Sequence, residues 1–314
     1  MDSSGETVRW AYRILLDREP EDERVARREF PDTRTMRRAF LLSEEFQTKN
    51  ADLVFGFSRW VITETAFGFR LWVSLEEQAI SRSILFGNYE LPEAAFVAAN
   101  VRPGDHVIDA GANIGYFTML LAQACSPGGT VRSFEPLDYL FDALERSVAE
   151  NRFTSWVVPV RVALADVCGR ALFRHVPRTT NFGGGHLAEA GEMPPSHVEE
   201  PVDLRTLDSL LDERRVAFVK IDVEGAEPRA MRGARRMLER DRPVILAELH
   251  NAQLRTVSGV SATEFVAEMR TAGYGCSALT EAGQRGDAMT AYDGEAPINV
   301  VFDPLPAFSP LDRP

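Results

Sequence analysis

The sequence predicts an α/β fold in which a mostly parallel sheet is covered by helices on both faces. Three observations carry that prediction. From residue 106 onward, short β-branched runs alternate with stretches of helix length. The first run ends in a glycine-rich turn that leads straight into a helix, and the next two runs each end near a carboxylate. Strands separated by helices of this length need crossover connections, which give parallel neighbours buried on both sides.

The elements follow in order. Residues 7–49 read as helices: Val8, Ala11, Tyr12, Leu15 and Leu16 keep the 3.6-residue period, Pro20 interrupts it, and Met36, Phe40 and Leu41 resume it. A small helical domain over 1–50 is thus expected before a larger domain over 51–314. The run VITETAFGFRLWVS (61–74) reads as a hairpin turning near Gly68. After LFGNYE comes a helix near 92–100. Strands are expected at 106–111, 130–136, 156–164, 217–225 and 243–250, and helices at 114–125, 138–151, 206–215, 227–240 and 261–273. YGCSALTE and PINVVFDP supply two last strands at a hairpin-like edge. Residues 177–201 hold Gly, Pro and His without periodicity, and read as a binding loop or lid, or else as disorder.

Composition narrows the function classes. Of 314 residues, 45% are hydrophobic and 26% charged, as in a folded soluble protein. Asp and Glu outnumber Lys and Arg by 47 to 35, a net charge of −12 that argues against a nucleic-acid partner. Cys125, Cys168 and Cys276 are widely spaced with no CxxC, so neither a disulfide framework nor a structural zinc site is expected. No window approaches the ~20 apolar residues of a spanning helix, and the N-terminus lacks the order of a signal peptide. The expected location is the cytoplasm.

The segment VIDAGANIG places a strand before Asp109, Gly111, Asn113 and Gly115 and a helix after them. Glycines there allow a tight turn and bring backbone N–H groups and a helix N-terminus against a ligand. A dinucleotide fingerprint would need glycine at Asn113, where the pyrophosphate meets the backbone. Asp109 instead suits an ammonium group. Glu135 ends the second strand, where a carboxylate accepts from ribose hydroxyls, and Asp166 follows the third, where it could accept from an adenine amino group. Together these describe S-adenosylmethionine. The competing reading of the glycine run alone is a helix-start turn.

The runs LFGNYE, VIDAGANIGYFT, FEP, VALAD, TLD, FVKIDVEGAE and PVILAELH, in that order, resemble the FkbM family of S-adenosylmethionine-dependent methyltransferases. The resemblance implies a class I methyltransferase (Rossmann-like) fold, with a seven-stranded sheet containing one antiparallel strand. It also implies O-methylation of a hydroxyl on a sugar, polyketide or related metabolite. It carries Asp109, Gly111, Asn113, Gly115, Glu135 and Asp166 to the cofactor site, and assigns Tyr89 and Glu90 to the methionine end. Separately, YRILLDREP followed by SEEF resembles a small helical domain attached to bacterial glycan-related enzymes, a candidate surface for a glycan-assembly partner or a homo-oligomer.

Methyl transfer is an in-line displacement, so a poorly ionised alcohol calls for a general base or a metal. Asp222 and Glu224 lie two apart, as do Glu248 and His250, so each pair shares a face of its expected strand. In the methyltransferase topology those strands are neighbours whose C-terminal ends open on the substrate cleft. His250 is the candidate base, because imidazole titrates near neutral pH. Asp222 and Glu248 either orient it or join it around Mg2+ or another divalent cation. The alternatives are that Asp222 or Glu224 caps the next helix and that His250 is a hydrogen-bonded structural residue. Lys220 reads as a strand residue whose amine meets a carboxylate, and Glu227 as a first-turn helix residue. Asn181 and His186, in NFGGGH, are candidate substrate contacts; His106 and His175 read as structural.

Three rival functions are weaker. Amino-methylating nucleic-acid enzymes carry an (N/D/S)PP(Y/F/W) segment where this chain reads IDVEGAE, and no cysteine follows a proline as a C5 nucleophile would. Asn113 disfavours a dinucleotide oxidoreductase. A non-catalytic glycan-assembly scaffold is disfavoured by suitable side chains at every expected cofactor position.

Overall fold

The computed structural model describes residues 5–43, 45–46, 60–176, 182–188 and 197–306. Helices α1 (Gly5–Leu16), α2 (Glu23–Ala26) and α3 (Thr33–Leu41) come first. Asp22 and Asp32 cap the latter two by accepting from the Val25 and Thr35 N–H groups. Val8, Leu16, Met36, Phe40 and Phe46 enclose a core of their own. The domain boundary expected at residue 50 lies outside the described residues.

Strands β1 (Trp60–Glu64) and β2 (Arg70–Ser74) form the expected hairpin, paired from Trp60 with Ser74 to Glu64 with Arg70. Gly68 sits at its turn with φ 82°. Then follow α4 (Ile80–Phe86), α5 (Leu91–Asn100), β3 (His106–Ala110), α6 (Tyr116–Cys125), β4 (Thr130–Phe134), α7 (Asp138–Glu150) and β5 (Val157–Val160). The middle of the chain gives β6 (Ala163–Leu164), β7 (Gly169–His175), β8 (His186–Leu187), β9 (Val198–Arg205) and α8 (Leu207–Leu210). The last third gives β10 (Val216–Ile221), α9 (Glu227–Arg232), α10 (Arg235–Asp241), β11 (Val244–Leu249) and α11 (Asn251–Gln253), then a π-helical turn (Leu254–Ser258). It closes with α12 (Ala262–Thr271), β12 (Tyr274–Leu279), β13 (Arg285–Met289) and β14 (Ile298–Pro304).

The central sheet runs β13-β12-β14-β11-β10-β3-β4-β5. The five strands from β11 to β5 are mutually parallel, and β14 runs antiparallel to both β11 and β12. The seven strands of a class I methyltransferase are all there, in that fold's order. An eighth, β13, pairs antiparallel on the outer edge of β12, which the sequence reading did not anticipate. Period-two alternation builds a core on each face: Val107, Val131, Phe218 and Leu246 face one helical layer, and Ile108, Phe134, Val219 and Ile245 the other. A fully buried side chain of this size stabilises by roughly 1.5–3 kcal/mol.

Four other expectations are corrected. The run at 156–164 is two short strands, and the helix expected at 206–215 is only the turn α8. The helix expected at 227–240 breaks at Gly233, where a Cβ would overlap the Ala165 carbonyl oxygen. Residues 177–201 are in part regular structure: β8 and β9 join β6 and β7 in a four-stranded sheet of order β6-β9-β7-β8. Among the described residues no helix is long and apolar enough to cross a membrane.

Candidate active site

A cavity of about 540 Å³ opens at the C-terminal ends of β3, β4, β10 and β11, where parallel α/β sheets place their ligand sites. Its volume falls in the range of roughly 300–1,000 Å³ usual for small-molecule pockets. The turn after β3 contributes Gly111, Ala112, Asn113 and Ile114; the end of β4 contributes Glu135 to Leu137; the loop after β10 contributes Asp222 to Glu224. Tyr89, Glu90, Lys220, Glu248, His250 and Gln253 complete the polar wall, and Phe173 with Gly183 to Gly185 reach in from the second sheet.

Gly111 owes its identity to the neighbouring strand end. It has φ 82°, and a Cβ would overlap the Asp222 carbonyl oxygen. Only glycine lets the β3 turn and the β10 end pack this closely. Asn113 takes φ 50°, and its backbone N–H donates to Glu135 Oε2 at 3.0 Å. The Leu137 N–H donates to Glu135 Oε1 at 2.9 Å. Glu135 is thus fixed by two backbone donors, with carboxylate lone pairs to spare. Burial nevertheless pushes its carboxyl up to about 7.

Lys220 stands where the alternation of β10 calls for a core residue, beside Phe218 on one face. Its ammonium lies 4.9 Å from the Phe117 ring centroid and 3.0 Å from Asp222 Oδ2. Burial pulls its pKa down, but the Asp222, Glu90 and Asp109 carboxylates outweigh that and hold it above the usual lysine range. Glu90, also at positive φ (42°), is pushed up to about 7 by burial against the pull of Lys220. Burial raises the Tyr89 phenol well above its ordinary value. The Tyr116 hydroxyl donates to the Tyr89 carbonyl at 3.1 Å, which fixes this end of the wall.

The loop after β10 is not extended, so the period of two stops at Asp222. Glu224 has φ 54°, and its Oε2 accepts from the Gln253 amide. Burial, with repulsion from Asp222 and Glu248, pushes Glu224 up to about 9; burial and Asp222 push Glu248 up to about 8. Glu227 holds the loop by accepting the Val223 N–H at 2.8 Å. The following helix starts from Ala226 with no side-chain cap, so Asp222 and Glu224 do not cap it. His250 lines the cavity, and its Nδ1 is buried without a hydrogen-bond partner among the described residues.

Not every expected site residue reaches the cavity. Asp109 is fully buried behind the wall, where the Thr118 hydroxyl donates to its Oδ2 at 2.5 Å. Gly115 starts α6 at φ 96°, packed under Leu144. Asp166 is ion-paired with Arg229 at 3.3 Å and does not line the cavity. His186 sits on β8, outside the lining, and Asn181 lies outside the described residues. Asp222, Glu248 and His250 do not form the metal set expected of them: among the described residues no three such side chains are placed to hold an ion. Lys220, read from sequence as a paired strand residue, does pair, but on the cavity wall. Gln253 was missed, and its only signal is its place three residues after His250.

The acidic, enclosed wall and the fixed Glu135 carboxylate suit a ligand with a ribose and a cationic centre. A family model described as the methyltransferase FkbM domain matches residues 109–276, more than half of the chain. The chain belongs to the FkbM methyltransferase family. It is an S-adenosylmethionine-dependent methyltransferase of the FkbM type.

Among FkbM relatives, the 31-O-demethyl-FK506 methyltransferase FkbM of Streptomyces tacrolimicus is 32% identical over 181 residues, 48% of this chain and 67% of that protein. Methyltransferase sdnD of Sordaria araneosa is 26% identical over 164 residues, 43% of this chain and 62% of that one. The crystal structure of methyltransferase FkbM from Methylobacillus flagellatus KT is 18% identical, with TM-score 0.40, covering 71% of this chain and 52% of that one.

Proposed function

We propose that this methyltransferase acts on a hydroxyl of a sugar, glycan or polyketide-like metabolite. The observation that carries the reading is the place of His250 on the wall of a cavity that Glu135 and the Gly111 turn also line. An imidazole on that wall can take a hydroxyl proton. The relative whose name specifies a 31-O-demethyl substrate supports oxygen as the methylated atom.

When bound, S-adenosylmethionine supplies an electrophilic methyl group on a sulfonium. Glu135 receives the ribose hydroxyls, and Tyr89 with Glu90 faces the methionine end. Lys220 neutralises Asp222 and keeps the β10 end in place. His250 holds the acceptor hydroxyl and takes its proton as the oxygen–carbon bond forms and the carbon–sulfur bond breaks. Glu248 stands two residues before it on β11 and lines the same cavity. The surrounding apolar wall, including Phe117, Leu140 and Phe173, excludes water from the transfer. Residues 1–50 and 51–314 are proposed as separate domains, supported by the independent core of α1 to α3.

The test is transfer of a labelled methyl group to a panel of hydroxylated glycans and metabolites, with and without Mg2+. Labelled product in either condition supports the reading. A protein that binds the cofactor but labels no member of the panel favours the scaffold alternative.

A further inference from the structure

Among the described residues, five carboxylates line the cavity, Glu90, Glu135, Asp222, Glu224 and Glu248, against the single ammonium of Lys220. That ammonium is committed to Asp222 at 3.0 Å. S-adenosylmethionine carries a sulfonium, an ammonium and a carboxylate, so it adds only one net positive charge. At least two carboxylates therefore stay without a counter-ion after it binds. Position identifies them. Glu135 is fixed by backbone donors beside the Gly111 turn, whereas Glu224 follows β10 and Glu248 lies near the end of β11, the strand that leads into His250.

This second end is built of acceptors. Gln253 spends its amide N–H on Glu224, which leaves its Oε1 buried without a partner among the described residues. No arginine is among the described lining residues, although all but two of the chain's 35 basic residues are arginines. Burial and repulsion from neighbouring carboxylates, Asp222 in both cases, push both glutamates far above the carboxylate range.

Resting on the reading of this cavity as a hydroxyl-methylating site, we infer that the acceptor carries an ammonium group beside its hydroxyl, as an amino sugar does, and that Glu224 and Glu248 receive it. A hydrogen bond from an ammonium to a carboxylate is the stronger, charge-assisted kind. A phosphorylated or nucleotide-linked sugar meets repulsion at the same place.

The experiment is calorimetric titration of protein loaded with S-adenosylhomocysteine, using methyl glucosaminide, methyl glucoside and glucose 6-phosphate. The aminoglycoside is expected to bind on the order of tenfold more tightly than the neutral glycoside, and the phosphate to bind weakest. Glu224→Gln and Glu248→Gln are each expected to narrow that ratio. Equal or tighter binding of the neutral or phosphorylated probe overturns the ammonium inference and leaves hydroxyl methylation standing. Failure of all three probes on loaded protein also overturns it. Failure of S-adenosylhomocysteine itself to bind counts against the underlying functional reading.

Discussion

The Lys220 ammonium lies 3.0 Å from Asp222 Oδ2, buried against the face of Phe117 at the end of β10. One cation thus serves Asp222 directly and Glu90 and Asp109 at longer range. Lys220→Met should destabilise the protein by about 3–5 kcal/mol, the usual cost of stranding a buried charge. Chemical denaturation of the variant and the native chain measures it. A loss near zero would mean that the ion pair is dispensable.

The close approach of Gly111 to Asp222 gives a second prediction. Gly111→Ala should cost at least the ~1–3 kcal/mol of a strained backbone conformation, and cofactor affinity with it. Gly169→Ala, where a Cβ meets nothing within 4 Å, should stay within about ±0.5 kcal/mol. Melting and cofactor titration of both variants test the contrast.

Glu135 accepts two backbone N–H groups, so Glu135→Gln turns an amide NH2 toward one of them. The expected loss is about 1–3 kcal/mol of stability, with cofactor binding abolished or much weakened. Equilibrium dialysis with labelled cofactor reads the second effect directly. Undiminished binding would remove Glu135 from the ribose site.

Acidity should stabilise the free protein. Burial raises Glu90, Glu135 and Glu227 to about 7, Glu248 to about 8 and Glu224 to about 9, all above an unfolded value near 4.5. The folded state then binds more protons than the unfolded one across that window, so this contribution is complete below pH 4.5 and lost as pH rises through 7 to 9. The melting temperature of the free protein should fall from pH 5 to pH 9, and a cationic ligand should recover part of the loss. A melting temperature that rises over that interval would contradict the burial of these groups.

Much of the sheet was legible because its strands alternate β-branched residues toward two cores, as Val107 and Ile108 do. β9 was hidden by Pro201 and its glutamates, and β13 by the polar run RGDAM at an edge that needs no apolar face. The break at Gly233 depends on a carbonyl 68 residues earlier in the chain, at Ala165, and local periodicity carries no trace of it. In the site, residue types at strand ends located Glu135, Asp222, Glu248 and His250 on the cavity wall. The same logic put Asp166 there too, because nothing local announces that Arg229 will pair with it. Gln253 was invisible because its partner, Glu224, lies 29 residues earlier in the loop after β10.

The central claim is that His250 draws the proton from a hydroxyl that receives the methyl group. The direct measurement is carbon-13 NMR of the product formed with methyl-labelled cofactor, using native protein and His250→Ala, with cofactor binding confirmed for both. The account predicts an O-methyl resonance for the native protein and a turnover about 10²- to 10⁴-fold lower for His250→Ala, with cofactor affinity retained. A methyl group on nitrogen or carbon, or an unchanged rate in His250→Ala, would contradict it.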